Sequence, residues 1–130
     1  MNITEITSTK TQAAVRLRLA PYCRVSSDSA DQLHSFAAQI RYYSDYAKKH
    51  PEYQLVDIYA DEGITGTEMK KRDELKRLIA DCKKGKVDRI IVKSVSRMAR
   101  NTEELLVMIR MFKDIGVSVY FEEQGIDTEK

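Results

Sequence analysis

The feature that most limits what this chain can fold into is an alternation. Short apolar, β-branched runs take turns with longer stretches whose apolar residues recur every three to four positions, which sets strands and helices in succession. Arg16 to Arg24 (RLRLAPYCR), continuing into Val25, reads as a first strand, with Pro21 removing one ladder donor inside it. From Ala30 to Lys49 the residues Leu33, Phe36, Ala37, Ile40, Tyr43 and Ala47 recur at helical spacing. Asp28 or Ser29 stands where an N-cap is needed, and Pro51 forbids continuation. Tyr53 to Ala60 (YQLVDIYA) predicts a second strand, running into a loop marked by Asp61, Gly63 and Gly66.

Leu75, Leu78, Ile79 and Cys82 define a second helix, with Asp73 as its N-cap and Gly85 just past its end. Val87 to Lys93 (VDRIIVK) is nearly continuous in apolar residues, the mark of a strand covered on both faces. Thr102 then serves as the N-cap of a third helix. Glu103 and Glu104 lie in its first turn, Leu105, Ile109 and Phe112 along one face, and Gly116 at its end. Val117 to Glu122 gives a fourth strand. Parallel neighbours need crossover connections, so this order predicts an α/β fold: a three-layer open sheet, mostly parallel, of four or five strands flanked by helices.

In open sheets of this kind ligands bind beyond the carboxyl ends of the strands. Three polar clusters are expected at that edge: Arg24 and Ser26 after the first strand, Gly63 to Arg72 after the second, and Ser94 to Arg100 after the third. A chain of 130 residues with 42% hydrophobic content fills one core, so a single domain over residues 15–130 is expected behind a flexible tail at 1–14. The formal charge of +2 does not by itself announce a nucleic-acid partner. Local patterning does more. Lys83, Lys84, Lys86, Arg89, Lys93, Arg97 and Arg100 face the single acid Asp88, whereas Asp114, Glu122, Glu123, Asp127 and Glu129 follow without a base. Cys23 and Cys82 form no CxxC pair and are expected to be reduced thiols of a cytoplasmic protein. No apolar run approaches the roughly 18 residues of a membrane span.

The histidines, His34 and His50, lie away from the strand ends, so a Ser-His-Asp arrangement lacks a base. HExxH, clustered Cys/His and P-loop patterns are absent, which argues against zinc and Walker-type chemistry. What stands at the functional edge is a serine among arginines. Guanidinium forks match phosphate oxygens in pairs and hold their charge at any working pH, so Arg24, Arg72, Arg97 and Arg100 suit a phosphodiester and its five-coordinate transition state. The same field favours Ser26 as a nucleophile. A plainer reading has the Arg-x-x-Arg spacing of Arg97 and Arg100 as solvated charge or as pairing with neighbours such as Glu103 and Glu104. Asp57, Asp61 and Glu62 also allow a magnesium site, unless they merely form a polar loop at Gly63 and Gly66.

Taken together, several stretches resemble the catalytic domain of the serine recombinases, the resolvases, invertases and large serine integrases. They are Tyr22 to Ser27 (YCRVSS), Gln39, Asp61 to Thr67 (DEGITGT) with Lys71-Arg72, Gly85 to Lys93, Ser94 to Thr102 (SVSRMARNT), and Gly125 to Thr128. The match runs in order from about Leu17 to Thr128, and the wording of its third motif is closest to the large serine recombinases. The resemblance implies that Ser26 attacks a DNA phosphate, leaving a 5′-phosphoserine link and a free 3′-OH. It implies that Arg24, Arg72, Arg97 and Arg100 bind that phosphate with Gln39 in support. It also implies that no metal, cofactor or small-molecule substrate takes part, and that the partners are double-stranded DNA and further copies of the protein, as dimers and tetramers.

Ser27, Ser94 and Ser96 are competing hydroxyls. Small resolvases carry an aspartate before the first arginine of the third motif, where this chain has Ser96, so the acid that protonates the leaving group is open, with an arginine as the first guess. The family's dimerisation helix and DNA-binding region would follow Lys130, so these 130 residues alone are expected to bind DNA weakly and to be inactive or nearly so. Two other classes stay open: a phosphate- or nucleotide-sensing open sheet without turnover, and a magnesium-dependent phosphatase.

Overall fold

The computed structural model describes residues 16–26, 35–63 and 72–129. The expected tail at 1–14, capping by Asp28 or Ser29, the helical residues from Ala30 to His34, and Gly66 lie outside the described residues. The elements are β1 (Leu17–Ser26), α1 (Phe36–Lys49), β2 (Tyr53–Leu55), β3 (Tyr59–Gly63), α2 (Asp73–Lys83), β4 (Arg89–Val92), α3 (Val95–Met98), α4 (Thr102–Asp114), β5 (Ser118–Phe121) and β6 (Ile126–Asp127). They build one six-stranded sheet. β1 lies at its centre, with β2 and β3 on one edge and β4 then β5 on the other, all parallel; β6 adds an antiparallel strand beyond β5.

The predicted second strand is broken into β2 and β3. Leu19 pairs with Leu55, but Tyr22 pairs with Tyr59, so one extra residue enters between them, the signature of a bulge. Pro21 explains the position of the break. Leu19 O accepts from Val56 N at 2.9 Å, so the odd-numbered residues of β1 turn their backbone groups to this edge. Pro21, which has no N–H to give, therefore faces residues 56–58. Asp57 closes the kink locally, its Oδ1 accepting from Ile58 N at 2.8 Å. The split strand and β6 together take the sheet beyond the expected four or five strands.

Both faces of the sheet are covered, and all four residues of β4 are buried. On one face Ala20, Tyr22, Tyr59, Ile90, Val92, Val119 and Phe121 pack against α2 through Leu75, Leu78 and Cys82 and against α4 through Met108 and Phe112. On the other, Leu19, Cys23, Val25 and Ile91 pack against Tyr43 of α1. Each fully buried large apolar side chain contributes about 1.5–3 kcal/mol relative to exposure, so these two layers dominate stability. Arg89 does not belong to a basic surface: it is buried, makes two bonds to Asp127 at 2.8 and 3.0 Å, and fastens β6 to the sheet.

The helix starts differ from the sequence reading in an informative way. Ser35 caps described α1, its Oγ accepting from Ala38 N at 3.1 Å. Asn101, not Thr102, caps α4, accepting from Glu104 N at 2.8 Å. Asp73 is the first residue of α2 rather than its cap, and Arg72 at the cap position makes no side-chain cap bond. The cap comes from the preceding strand. Buried Asp61, on β3, accepts from Glu74 N at 2.9 Å, Leu75 N at 3.1 Å and Tyr22 Oη at 2.7 Å. The helix ends follow the glycines: Gly85 (φ 77°) and Gly116 (φ 80°) take left-handed turns that other residues disfavour.

One carboxylate thus ties β1, β3 and α2 together. Asp61→Ala is expected to lower the unfolding free energy by about 2–3 kcal/mol, because it strands buried donors. Asp57→Ala, which removes an exposed pairing with Arg77, should cost under about 1 kcal/mol. Chemical denaturation of both variants decides; equal effects would reject the capping role.

Candidate functional site

β1 outlasts its neighbour β4. The last registered pair between them is Tyr22 with Val92, while β1 continues alongside β3 to Ser26 opposite Gly63. Beyond the end of β4 the chain turns through Lys93 and Ser94 into the short helix α3, which the sequence reading did not anticipate. This overhang leaves a cleft of about 300 Å³ between the end of β1, α1 and the turn after β4. Arg24, Gln39, Tyr42, Tyr43, Lys93 and Arg97 are among its walls. Three of the residues singled out from the sequence, Arg24, Gln39 and Arg97, therefore meet around one space, and Ser26 lies two residues further along β1 from Arg24.

Arg72 and Arg100 take other positions. Arg72 is mostly buried behind the cleft, where Nη2 donates to the carbonyls of Arg97 (3.4 Å) and Met98 and Nη1 lies 3.5 Å from Glu104 Oε1. Its guanidinium stands 6.0 Å from the Tyr22 ring centroid. These bonds close the carboxyl end of α3, so Arg72 fixes the segment that carries Arg97. Among the described residues its buried Nε has no hydrogen-bond partner. Arg100 is exposed and pairs with Glu104 at 3.6 Å, while its backbone N–H donates to Glu104 Oε1 at 2.8 Å. The pairing with Glu104 considered from the sequence thus holds for Arg100, and Arg72 shares the same carboxylate. Among the described residues no acid pairs with Arg24 or Arg97.

Of the competing hydroxyls, Ser94 is buried with its Oγ 3.1 Å from that of Ser96, and Ser27 lies outside the described residues. The acids considered for magnesium are dispersed: Asp61 caps α2 and Asp57 pairs with Arg77 at 3.0 Å. Among the described residues no group of three or more His, Cys, Asp or Glu is placed to hold a metal ion. No helix of the described residues is long and apolar enough to cross a membrane.

The sequence reading missed Tyr42, Tyr43, Lys93 and Glu122. Glu122 follows β5 and accepts from Tyr42 Oη at 2.6 Å and Tyr43 Oη at 2.9 Å. Burial and these bonds push both phenols well above the usual tyrosine range, so they stay protonated donors. The Lys93 ammonium sits 4.3 Å from the centroid of the Tyr42 ring. A signal existed: Lys93 closes the third predicted strand, and Tyr42 and Tyr43 fall one helical turn after Gln39.

The chain is similar to known proteins along most of its described length. The family profile described as "Resolvase, N terminal domain" matches residues 19–130. A resolvase/recombinase of Pseudomonas putida is 30% identical over 113 residues, which cover 87% of this chain and 55% of that protein, so the chain spans about half of that relative. The N-terminal catalytic domain of TP901-1 integrase superposes with a TM-score of 0.73 at 26% identity, over 87% of this chain and 83% of the other. A resolvase family site-specific recombinase from Streptococcus pneumoniae gives 0.72 at 31% identity, over 88% and 78%.

Cys23 lies on the floor of this cleft, and burial first, then the charge of Glu122, pushes its thiol up to about 12, against an opposing effect of Arg97. Burial pushes Cys82 up to about 12 as well. Both cysteines are free and buried. Near pH 8 the native protein should react with iodoacetamide at neither thiol, and at both once denatured, because the thiolate is the nucleophile. Rapid native labelling of Cys23, read by mass spectrometry, would contradict this packing.

Proposed function

The chain belongs to the resolvase N-terminal domain family, and on that footing we propose that it is the DNA-cleaving domain of a serine site-specific recombinase with Ser26 as nucleophile. In this reading the Ser26 hydroxyl oxygen bonds to the scissile phosphorus as the P–O3′ bond breaks. The hydroxyl proton passes to solvent and the departing 3′ oxygen takes up one proton, so it ends as a hydroxyl and the proton count is unchanged. The ester so formed is a 5′-phosphoserine, which keeps the bond energy for rejoining after strand exchange. Double-stranded DNA is the substrate, and dimers pairing into tetramers perform the exchange.

The observation that carries the reading is the cleft at the carboxyl edge of β1. Arg24 and Arg97 reach it from different elements, without an acid partner among the described residues, beside the strand end that bears Ser26. Unneutralised guanidinium groups in a partly enclosed site suit a phosphodiester whose charge grows in the transition state. Gln39 offers an amide on the facing wall. Arg72, held against the last carbonyls of α3, sets the position of Arg97. Arg100 completes the set once its exposed pairing with Glu104 opens, a surface contact of low cost. Among the described residues no carboxylate lines the cleft, and in this reading an arginine of the set hydrogen-bonds the leaving oxygen and passes it a proton that solvent restores.

The test joins this chain to a sequence-specific DNA-binding domain and supplies a nicked duplex that traps the cleaved state. A covalent protein–DNA adduct is expected from the unsubstituted protein and none from Ser26→Ala. An adduct persisting in that variant would reject the nucleophile. Arg24→Ala and Arg97→Ala should each slow adduct formation by roughly 100-fold or more, with stability changed by no more than about 0.5 kcal/mol. A large fall in melting temperature would instead make these arginines structural.

A further inference from the structure

We infer that Lys93 is a third phosphate-binding cation of the cleft, held in place by the ring of Tyr42. This rests on the DNA-cleaving reading above and adds a residue that the arginine-and-serine pattern does not contain.

Five arginines of the described structure are set against acids. Arg18 pairs with Asp88 at 2.9 Å, Arg77 with Glu74 at 2.8 Å, Arg89 with Asp127 at 2.8 Å, and Arg72 and Arg100 with Glu104. The cations that wall the cleft, Arg24, Lys93 and Arg97, have no acid partner among the described residues. Lys93 is nonetheless not a loose surface chain. It is half-buried, directly follows the fully buried β4, and its carbonyl accepts from Glu123 N at 2.8 Å.

Its charge is also aimed. The ammonium lies 4.3 Å from the centroid of the Tyr42 ring, within the range in which a ring face attracts a cation without neutralising it. The ring cannot swing away easily, because Tyr42 Oη donates to Glu122 Oε2 at 2.6 Å while Tyr43 holds the other carboxylate oxygen at 2.9 Å. Tyr42 and Glu122 are thus positioning residues, joining α1 to the end of β5. A lysine ammonium is a compact point charge with rotatable donors, suited to a phosphate oxygen approached from the side. With Arg24 and Arg97 marking the scissile phosphate, Lys93 extends the positive wall toward α1 and takes an adjoining backbone phosphate.

The fusion described above provides the test, with Lys93→Met keeping the aliphatic stem and Lys93→Arg keeping the charge. Lys93→Met should slow adduct formation by roughly 10- to 100-fold, and Lys93→Arg should stay within a few-fold of the unsubstituted protein. Duplex binding, measured by fluorescence anisotropy across a salt series in the Ser26→Ala background, should lose about 0.9 from its log–log salt slope on adding Lys93→Met. An unchanged slope overturns the inference, whether or not the rate falls, since a packing role would leave the counted phosphates the same. A shallower slope restored by Lys93→Arg supports it. Loss of the DNA-cleaving reading looks different: no adduct from the unsubstituted fusion, or one that survives Ser26→Ala.

Discussion

Everything in this fold hangs on one strand that must be satisfied along both edges. β1 runs through the centre of the sheet, buried on both faces, and each of its backbone groups needs a partner once water is excluded. Over its first half, β2 and β4 supply them; over its last residues only β3 does. The shortness of β4 is therefore as consequential as the length of β1. It opens a gap at the carboxyl edge that the α3 turn lines rather than fills, and side chains from three elements converge there because no strand occupies the place.

Charge is distributed to match. At the opposite edge of the sheet, Arg18 and Arg89 spend their guanidinium groups on Asp88 and Asp127, closing the start of β4 against β1 and β6. These are fold-holding pairs; the Asp88 carboxyl is held below the usual carboxylate range mainly by its hydrogen bond from Arg18. At the cleft the cations are left without acids among the described residues, and the nearby carboxylates are turned to other duties. Asp61 caps a helix, Glu104 holds Arg72 and Arg100, and Glu122 receives two tyrosines. A site for an anion is made as much by occupying the neighbouring acids as by gathering the bases.

Much of this was legible in the residues. The alternation of patterns identified the parallel architecture because strand and helix periods are set by backbone geometry alone, and the strand-end rule put Arg24 and Arg97 on the same edge. What stayed hidden depends on contacts between distant segments. No local pattern says that Asp61, thirteen residues before Glu74, caps α2, or that Arg89 within a basic run is buried against Asp127. α3 is too short for a period to register, and the split of the second strand follows from a proline on its neighbour. Lys93 and Tyr42 were passed over for the same reason: each is unremarkable alone, and only the fold stacks one on the other.

The bulge between β2 and β3 uncouples the two halves of one sheet edge. In an unbroken strand, adding or removing one residue would rotate everything downstream by half a period, carrying Asp61 from the core to the opposite face. Here the phase is reset at residues 56–58, opposite a proline that demands no partner. The β2 pairing and the β3 pairing are thus set independently of each other, and the register of Asp61 with Arg24 does not depend on that of Leu55 with Leu19.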